Sequence, residues 1–323
     1  MGSKRTVRDV SLMTSPRPAS KTAGIGESLY FDLFDQNDSQ RRINLKAETM
    51  RLKALNPGLL FAKLFREPLP QMYSSDYIYS LLQRKHTHLW VIAPPKSGST
   101  WLSALLDNYL GWTTMAMTDS FDRREQEPSL RLLAQAARID RVLWRHQHTR
   151  ASKSTIELIR RAAILPIIQT RDIHDAVMSC IDHFSNLSTI WPMAYMDDHQ
   201  WNQLDADSRS RFIVDMVAPW YFNFYAGWFS SKLVHDATAY VCRYENLNQD
   251  PVGELIKISE HFGLPGDRQK AQAAVDRAAS QFTRLNQGIV GRGVKLPEEL
   301  KESLSRMRRY YSSIDFSAAG FPE

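Results

Sequence analysis

Cysteine is almost missing from this chain: Cys180 and Cys242 are the only two in 323 residues. That is too few for a disulfide framework, and they do not form a metal-binding pair, so both are expected as buried, reduced thiols. Long apolar runs are missing too. The longest, as in Leu89 to Ala93 and Ile164 to Ile168, have the length of a strand, which excludes a membrane-spanning helix. The N-terminus lacks the apolar stretch of a secretory signal, so a cytoplasmic protein is expected. No internal repeat is present, and neither a nucleic-acid-binding fold nor an aromatic platform for bases can be recognised.

What is present suits a globular enzyme-sized chain. Its length and 43% hydrophobic content are enough for one large domain or two modest ones. The net charge of +6 and an isoelectric point near 9.2 fit an anionic partner without saying which. Part of that charge sits in residues 1–24, where Lys4, Arg5, Arg8, Arg17 and Lys21 stand among Ser, Thr and Gly, the composition of a flexible basic arm. Residues 25–85 carry helical apolar spacing at Ala47 to Leu55 and Leu59 to Phe65 and read as a helical N-terminal extension. The domain proper then spans 86–323.

The most informative stretch is Val91-Ile92-Ala93-Pro94-Pro95-Lys96-Ser97-Gly98-Ser99-Thr100-Trp101. An apolar strand runs into a loop of small polar residues and then into a helix. Trp101, Leu102, Leu105, Leu106, Tyr109 and Leu110 recur at helical spacing and Gly111 stops them. A helix opening directly after such a loop aims unpaired N–H groups and its positive dipole end at the loop, where an anion is stabilised. The nucleoside-triphosphate loop G-x-x-x-x-G-K-[ST] fits poorly. Laid on Ala93 to Thr100 it meets alanine at the first glycine and Ser99 at the lysine. Lys96, three residues earlier, approaches the anion from another side, which disfavours a nucleoside-phosphate kinase or ATPase.

Pro95-Lys96-Ser97-Gly98-Ser99-Thr100-Trp101 resembles instead the P-K-S-G-[ST]-T-W loop of the sulfotransferase family. The resemblance implies that this loop binds the 5′-phosphosulfate of 3′-phosphoadenosine 5′-phosphosulfate (PAPS). A second segment, Ile167 to Phe184, resembles the family's 3′-phosphate signature, with Arg171 at a strand end and Ser179 eight residues on. A guanidinium grips a phosphate through two parallel bonds while a hydroxyl donates a third. Tyr240 to Pro251 is similar to the family's Y-E-[DN]-[LM]-x-x-[DN]-P turn, which implies that Tyr244 lies near the nucleotide. The fourth signature, R-K-G-x-x-G, is degraded to Asn286-Gln287-Gly288-Ile289-Val290-Gly291-Arg292-Gly293. Both basic residues are replaced. Backbone amides of such a loop still bind phosphate, with Gly291, Arg292 and Gly293 as candidates and Arg292 supplying charge from a shifted position.

Sulfuryl transfer needs a base for the acceptor hydroxyl and positive charge where the nucleotide phosphate leaves; the scheme requires no metal. Lys96 is the candidate for that charge. For the base, the resemblance implies a histidine in a K-T-H context, and Val142-Leu143-Trp144-Arg145-His146-Gln147-His148 offers His148 and His146. Strand alternation puts Val142, Trp144, His146 and His148 on one face. The family's spacing to the arginine ranks His148 first.

Segments 186–228 are rich in aromatics. Residues 185–208 mix them with acids and amides at weak periodicity, which suits an acceptor-site lid. Trp191, Trp201 and Tyr221 are the candidates to line it for a ring-bearing or hydrophobic small-molecule acceptor.

Strands at Arg141 to Trp144, Leu165 to Thr170 and Thr238 to Arg243 alternate with helical patterns, and Asp250 with Pro251 opens a helix that Gly263 and Pro265 close. The expected fold is α/β, a parallel sheet flanked by helices of the P-loop-like sulfotransferase type. In such a sheet Lys96, Arg171 and Tyr244 fall at the carboxyl ends of strands, where ligands sit. The resemblance covers most of the chain after Trp90 and implies PAPS as donor and 3′,5′-bisphosphoadenosine (PAP) as product. The alternative from another class is a nucleotide-binding protein of the same fold without transferase activity.

Overall fold

Leu89 to Ala93 are wholly shielded from solvent in the computed structural model of the chain, the environment of a central parallel strand. The structure describes residues 86–118, 127–137, 139–186, 194–280 and 289–322. The basic arm at 1–24 and the helical extension at 25–85 lie outside the described residues, as does Trp191.

In chain order the elements are β1 Thr87–Ile92, α1 Ser99–Leu110, β2 Thr113–Met115, α2 Leu130–Ala136, β3 Arg141–Gln147, α3 Lys153–Arg161, β4 Leu165–Thr170 and α4 Ile173–Asn186. There follow α5 Asp198–Gln203, α6 Ala206–Phe212, a π-helical turn Ile213–Val217, α7 Ala218–Phe229, α8 Lys232–His235 and β5 Tyr240–Arg243. The remainder is α9 Tyr244–Gln249, α10 Pro251–His261, α11 Arg268–Ser280, a 3-10 turn Arg292–Lys295, α12 Glu298–Arg309 and a 3-10 turn Ser317–Ala319.

The sheet has the order β2-β3-β1-β4-β5 and every ladder in it is parallel. Strands β2 and β3 lie to one side of β1, and the chain then crosses to lay β4 and β5 on the other. This reversal makes the carboxyl end of β1 the switch point where such sheets open a crevice. Alternation along β1 feeds two cores. Trp90 and Ile92 join Trp144, Ile168 and the aromatics of α7, while Leu89 and Val91 join Leu143, Ile167 and the apolar faces of α1, α10 and α11.

Element ends follow their side chains. Gly111 closes α1 in the left-handed region at φ 65°, and the Asp250 carboxylate accepts from Gly253 N–H at 2.8 Å to cap α10, with Pro251 in its first turn. The irregular lid expected over 185–208 is replaced, in its described part, by two short capped helices. Asp197 accepts from Gln200 N–H and Asp205 from Ser208 N–H. The acidic residues that blur the periodicity there are the caps themselves.

Candidate active site

The loop between β1 and α1 turns on two left-handed residues, Lys96 at φ 60° and Gly98 at φ 84°. Gly98 is required twice over, because a Cβ there would stand 2.6 Å from the Tyr244 ring as well as strain the backbone. Ser97 is buried and its hydroxyl donates to the Pro94 carbonyl at 2.7 Å. It braces the loop rather than facing outward. No side chain caps the N-terminus of α1, so the loop and the first residues Ser99, Thr100 and Trp101 form an electropositive end suited to an anion.

Arg171, at the end of β4, meets that loop directly. Its Nη1 donates to the Lys96 carbonyl at 2.9 Å and its Nη2 to the Ile289 carbonyl at 3.3 Å. The guanidinium lies 4.4 Å over the Tyr244 ring, and its buried Nε has no partner among the described residues. Tyr244 is itself 1% exposed, with the Trp101 ring edge-on at 6.3 Å. It fills the space between the loop after β1 and the Arg171 guanidinium and packs against both. Ser179 is buried on α4, one turn beyond Asp175 and on the same face.

The glycine loop is engaged differently from expectation. Gly291 N–H and Gly293 N–H both donate to the Asp175 carboxylate, at 2.8 and 2.7 Å, and Arg292 pairs with Asp182 at 2.7 Å. The same carboxylate lies 3.8 Å from Arg171 Nη2. Backbone amides that suit a phosphate suit a carboxylate for the same reason, and Asp175 takes that place. Asp175 and Asp182 are seven residues apart on one helix face, and the sequence reading missed both. Their spacing around Ser179 was the available signal.

The two histidines make different contacts. Trp90 pairs with Trp144, but Ile92 pairs with Gln147, so β3 carries one extra residue. This bulge breaks the alternation. His146 turns toward α1, where its Nδ1 is 3.1 Å from Ser103 Oγ, while His148 lies beyond the strand end with Nδ1 2.7 Å from the Ala93 carbonyl. Since a carbonyl only accepts, Nδ1 carries the hydrogen, and the lone pair of the neutral ring is on Nε2. Desolvation by the surrounding protein, against the opposing effect of that hydrogen bond, pushes His148 down to about 4. The ring centroids of His146 and His148 are 6.0 Å apart.

The proposed acceptor-lining aromatics that can be located are interior. Trp201 is 1% exposed and is wedged between Phe184 and Phe212. The Tyr221 hydroxyl donates to the Pro95 carbonyl at 2.6 Å and meets Cys180 Sγ at 3.3 Å. Both are core residues, because helical order over 198–229 turns them inward. Burial pushes the Cys180 thiol up to about 12, which makes it an inert packing group. Among the described residues no group of His, Cys, Asp and Glu is arranged to hold a metal, and no helix is long and apolar enough to cross a membrane.

A family model described as a sulfotransferase domain matches residues 86–289. Comparison with curated proteins finds no match. Among solved structures the chain is similar to mouse sulfotransferase SULT7A1 complexed with PAP, at 13% identity and a TM-score of 0.53 over 76% of this chain and 92% of that one. It is also similar to retinol dehydratase in complex with androsterone and the inactive cofactor PAP, at 12% identity and a TM-score of 0.51 over 79% and 87%. At these identities the likeness is one of fold.

Proposed function

Since this chain belongs to the sulfotransferase domain family, we propose that it moves the sulfuryl group of PAPS to a hydroxyl or amine of a small-molecule acceptor, a specialised metabolite. The observation that carries this reading is the junction of the two anion-binding segments, Arg171 Nη1 on the Lys96 carbonyl at 2.9 Å with Tyr244 filling the gap. A ligand with an anionic group at each end matches that pair of segments, and the unpartnered buried Nε of Arg171 is the kind of donor such a ligand satisfies.

PAPS, when bound, supplies an activated sulfuryl group on a phosphate leaving group. The residues divide the remaining work. Arg171 and Ser179 would hold the 3′-phosphate, and the loop Ser97 to Trp101, with the N-terminus of α1, would hold the 5′ end. Lys96 would place its ammonium against the negative charge that develops on the leaving phosphate oxygen. His148, tied through Nδ1–H to the Ala93 carbonyl, would accept the acceptor's proton on Nε2 as the new S–O or S–N bond forms and the old S–O bond breaks.

The acceptor's small size is supported by the androsterone bound to retinol dehydratase, a protein of similar fold. The test is transfer of label from PAPS to a panel of phenols, alcohols and amines. Label should move to at least one acceptor, and Lys96→Ala should reduce turnover far more than it reduces folding stability. Unchanged turnover in that variant would remove the loop from the mechanism. Binding of PAP with no transfer to any acceptor would favour the non-catalytic reading.

A further inference from the structure

Helix α7 carries Tyr221, Tyr225 and Trp228, spaced i, i+4 and i+7 and therefore on one face. All are fully buried. Each ends in a polar hydrogen, and each of those hydrogens goes to a main-chain carbonyl of a different segment of the site. Tyr221 donates to Pro95 at 2.6 Å, next to Lys96. Tyr225 donates to the Arg171 carbonyl at 3.2 Å and accepts from the Arg171 N–H at 3.0 Å. Trp228 donates through Nε1 to the Thr149 carbonyl at 3.0 Å, next to His148.

We propose that α7 is the positioning spine of the active site, one rigid rod that sets the spacing of the 5′-phosphosulfate loop, the 3′-phosphate arginine and the base. The inference rests on the functional reading above. None of the three side chains touches a reacting atom, so they are positioning residues. Along a helix they stand about 6 Å and about 4.5 Å apart in axial rise, a ruler that loops alone do not provide.

The contrast within the helix shows that packing does not require the polar ends. Phe222, Phe224 and Phe229 fill the core from the same element without any. A buried hydroxyl or indole N–H is costly unless it is bonded, so polar ends are retained where they meet carbonyls that need a donor. Burial raises the ionisation of Tyr221 and of Tyr225 well above the ordinary phenol, which keeps both as donors at any working pH. Gly227 completes the fit. A Cβ there would lie 3.2 Å from Ala151 Cβ, so glycine lets the helix approach the segment that follows His148.

The experiment measures binding of PAP, of adenosine 5′-monophosphate and of adenosine 3′-monophosphate to the full chain, together with the pH profile of transfer. Two variants, Tyr221→Phe and Tyr225→Phe, remove only the polar end; a third, Trp228→Phe, removes the indole N–H together with part of the ring. Phe222→Leu is the packing control. Loss of one buried bond should weaken the affected anchor about tenfold. Tyr225→Phe should shrink the preference for PAP over adenosine 5′-monophosphate, because only the former offers a 3′-phosphate. Tyr221→Phe should shrink the preference for PAP over adenosine 3′-monophosphate. Trp228→Phe should leave both preferences intact, lower kcat, and move the acid limb of the pH profile upward as the His148 segment loosens and admits water. Phe222→Leu should lower the melting temperature and change no preference.

If the three polar variants lower only the melting temperature, as the control does, the spine is ordinary core and the inference is overturned. Should one variant not fold, the other two carry the test, each on its own segment. Failure of the unaltered protein to bind PAP would instead bring down the functional reading, and this inference with it.

Discussion

At the scale of single residues the deciding question is which imidazole accepts the proton. Both histidines are visible in the sequence, but alternation assigns them to the same face and so leaves the choice to family spacing. A bulge lies between Trp144 and Gln147, and one extra residue in a strand leaves no mark on an apolar pattern. His146 is drawn to Ser103 on α1, whereas His148 has its tautomer set by the Ala93 carbonyl. His148→Ala should therefore lower kcat by about 10²–10⁴-fold, while His146→Ala should cost much less. The reverse order, measured with one acceptor at saturating PAPS, would exchange their roles. The pH dependence carries a sign as well. A base works in its neutral form, and desolvation holds His148 near 4, below the ordinary value of about 6.5. Activity should rise as pH climbs through the lower value and be flat by neutrality. An acid limb in kcat/KM for PAPS at 6.5 or above would contradict this placement.

At the scale of elements, the sequence was legible where a side chain ends or caps a segment. Gly111 closes α1 and Asp250 with Pro251 opens α10, as their chemistry requires. It was not legible where tertiary partners decide. Strand β2, three residues long, is defined by pairing with β3 rather than by its own pattern. The aromatic stretch likewise looked like a lid until helical order turned Trp201 and Tyr221 inward. The glycine loop at 291–293 shows the same limit, since its sequence suits phosphate-donating amides while Asp175, which the loop pattern does not reveal, accepts from them. That contact makes a ranking of two neighbouring glycines. A Cβ on Gly293 would lie 2.3 Å from His174 Cβ and 2.9 Å from its carbonyl carbon, whereas one on Gly291 meets nothing within 4 Å. Gly291→Ala should cost only the left-handed strain, about 1–2 kcal/mol. Gly293 is not in the left-handed region, but Gly293→Ala must lift the turn off α4 and break its bond to a buried carboxylate, at about 1.5–3 kcal/mol on top of the steric clash. Urea unfolding of the two variants checks the order, and a Gly291 variant as damaged as the Gly293 variant would refute the account of the contact.

At the scale of the whole molecule, the α/β class follows from strands alternating with helices, but the strand order does not. Only the fold shows that β1 lies between β3 and β4, which is why loops near 96, 148 and 171 meet although the chain separates them. Tyr244, from the end of β5, joins them through the Arg171 ring contact. A ligand that spans these segments binds the folded chain and has no counterpart in the unfolded one. Free energy of binding then appears as stability of the whole sheet rather than of one loop. PAP at about a hundred times its dissociation constant should stabilise the fold by about 2.7 kcal/mol. ATP has no 3′-phosphate for Arg171 and Ser179, so at equal concentration it should do much less. The net charge of +6 sets a second condition, because the attraction of a basic protein for a polyanion is screened as ionic strength rises. The PAP shift in melting temperature should therefore shrink with added salt at fixed ligand concentration. A thermal-shift series with both nucleotides at low and high salt tests these expectations together. Equal stabilisation by ATP and PAP would mean that the Arg171 end of the site does not read a 3′-phosphate, whatever the loop at Lys96 binds.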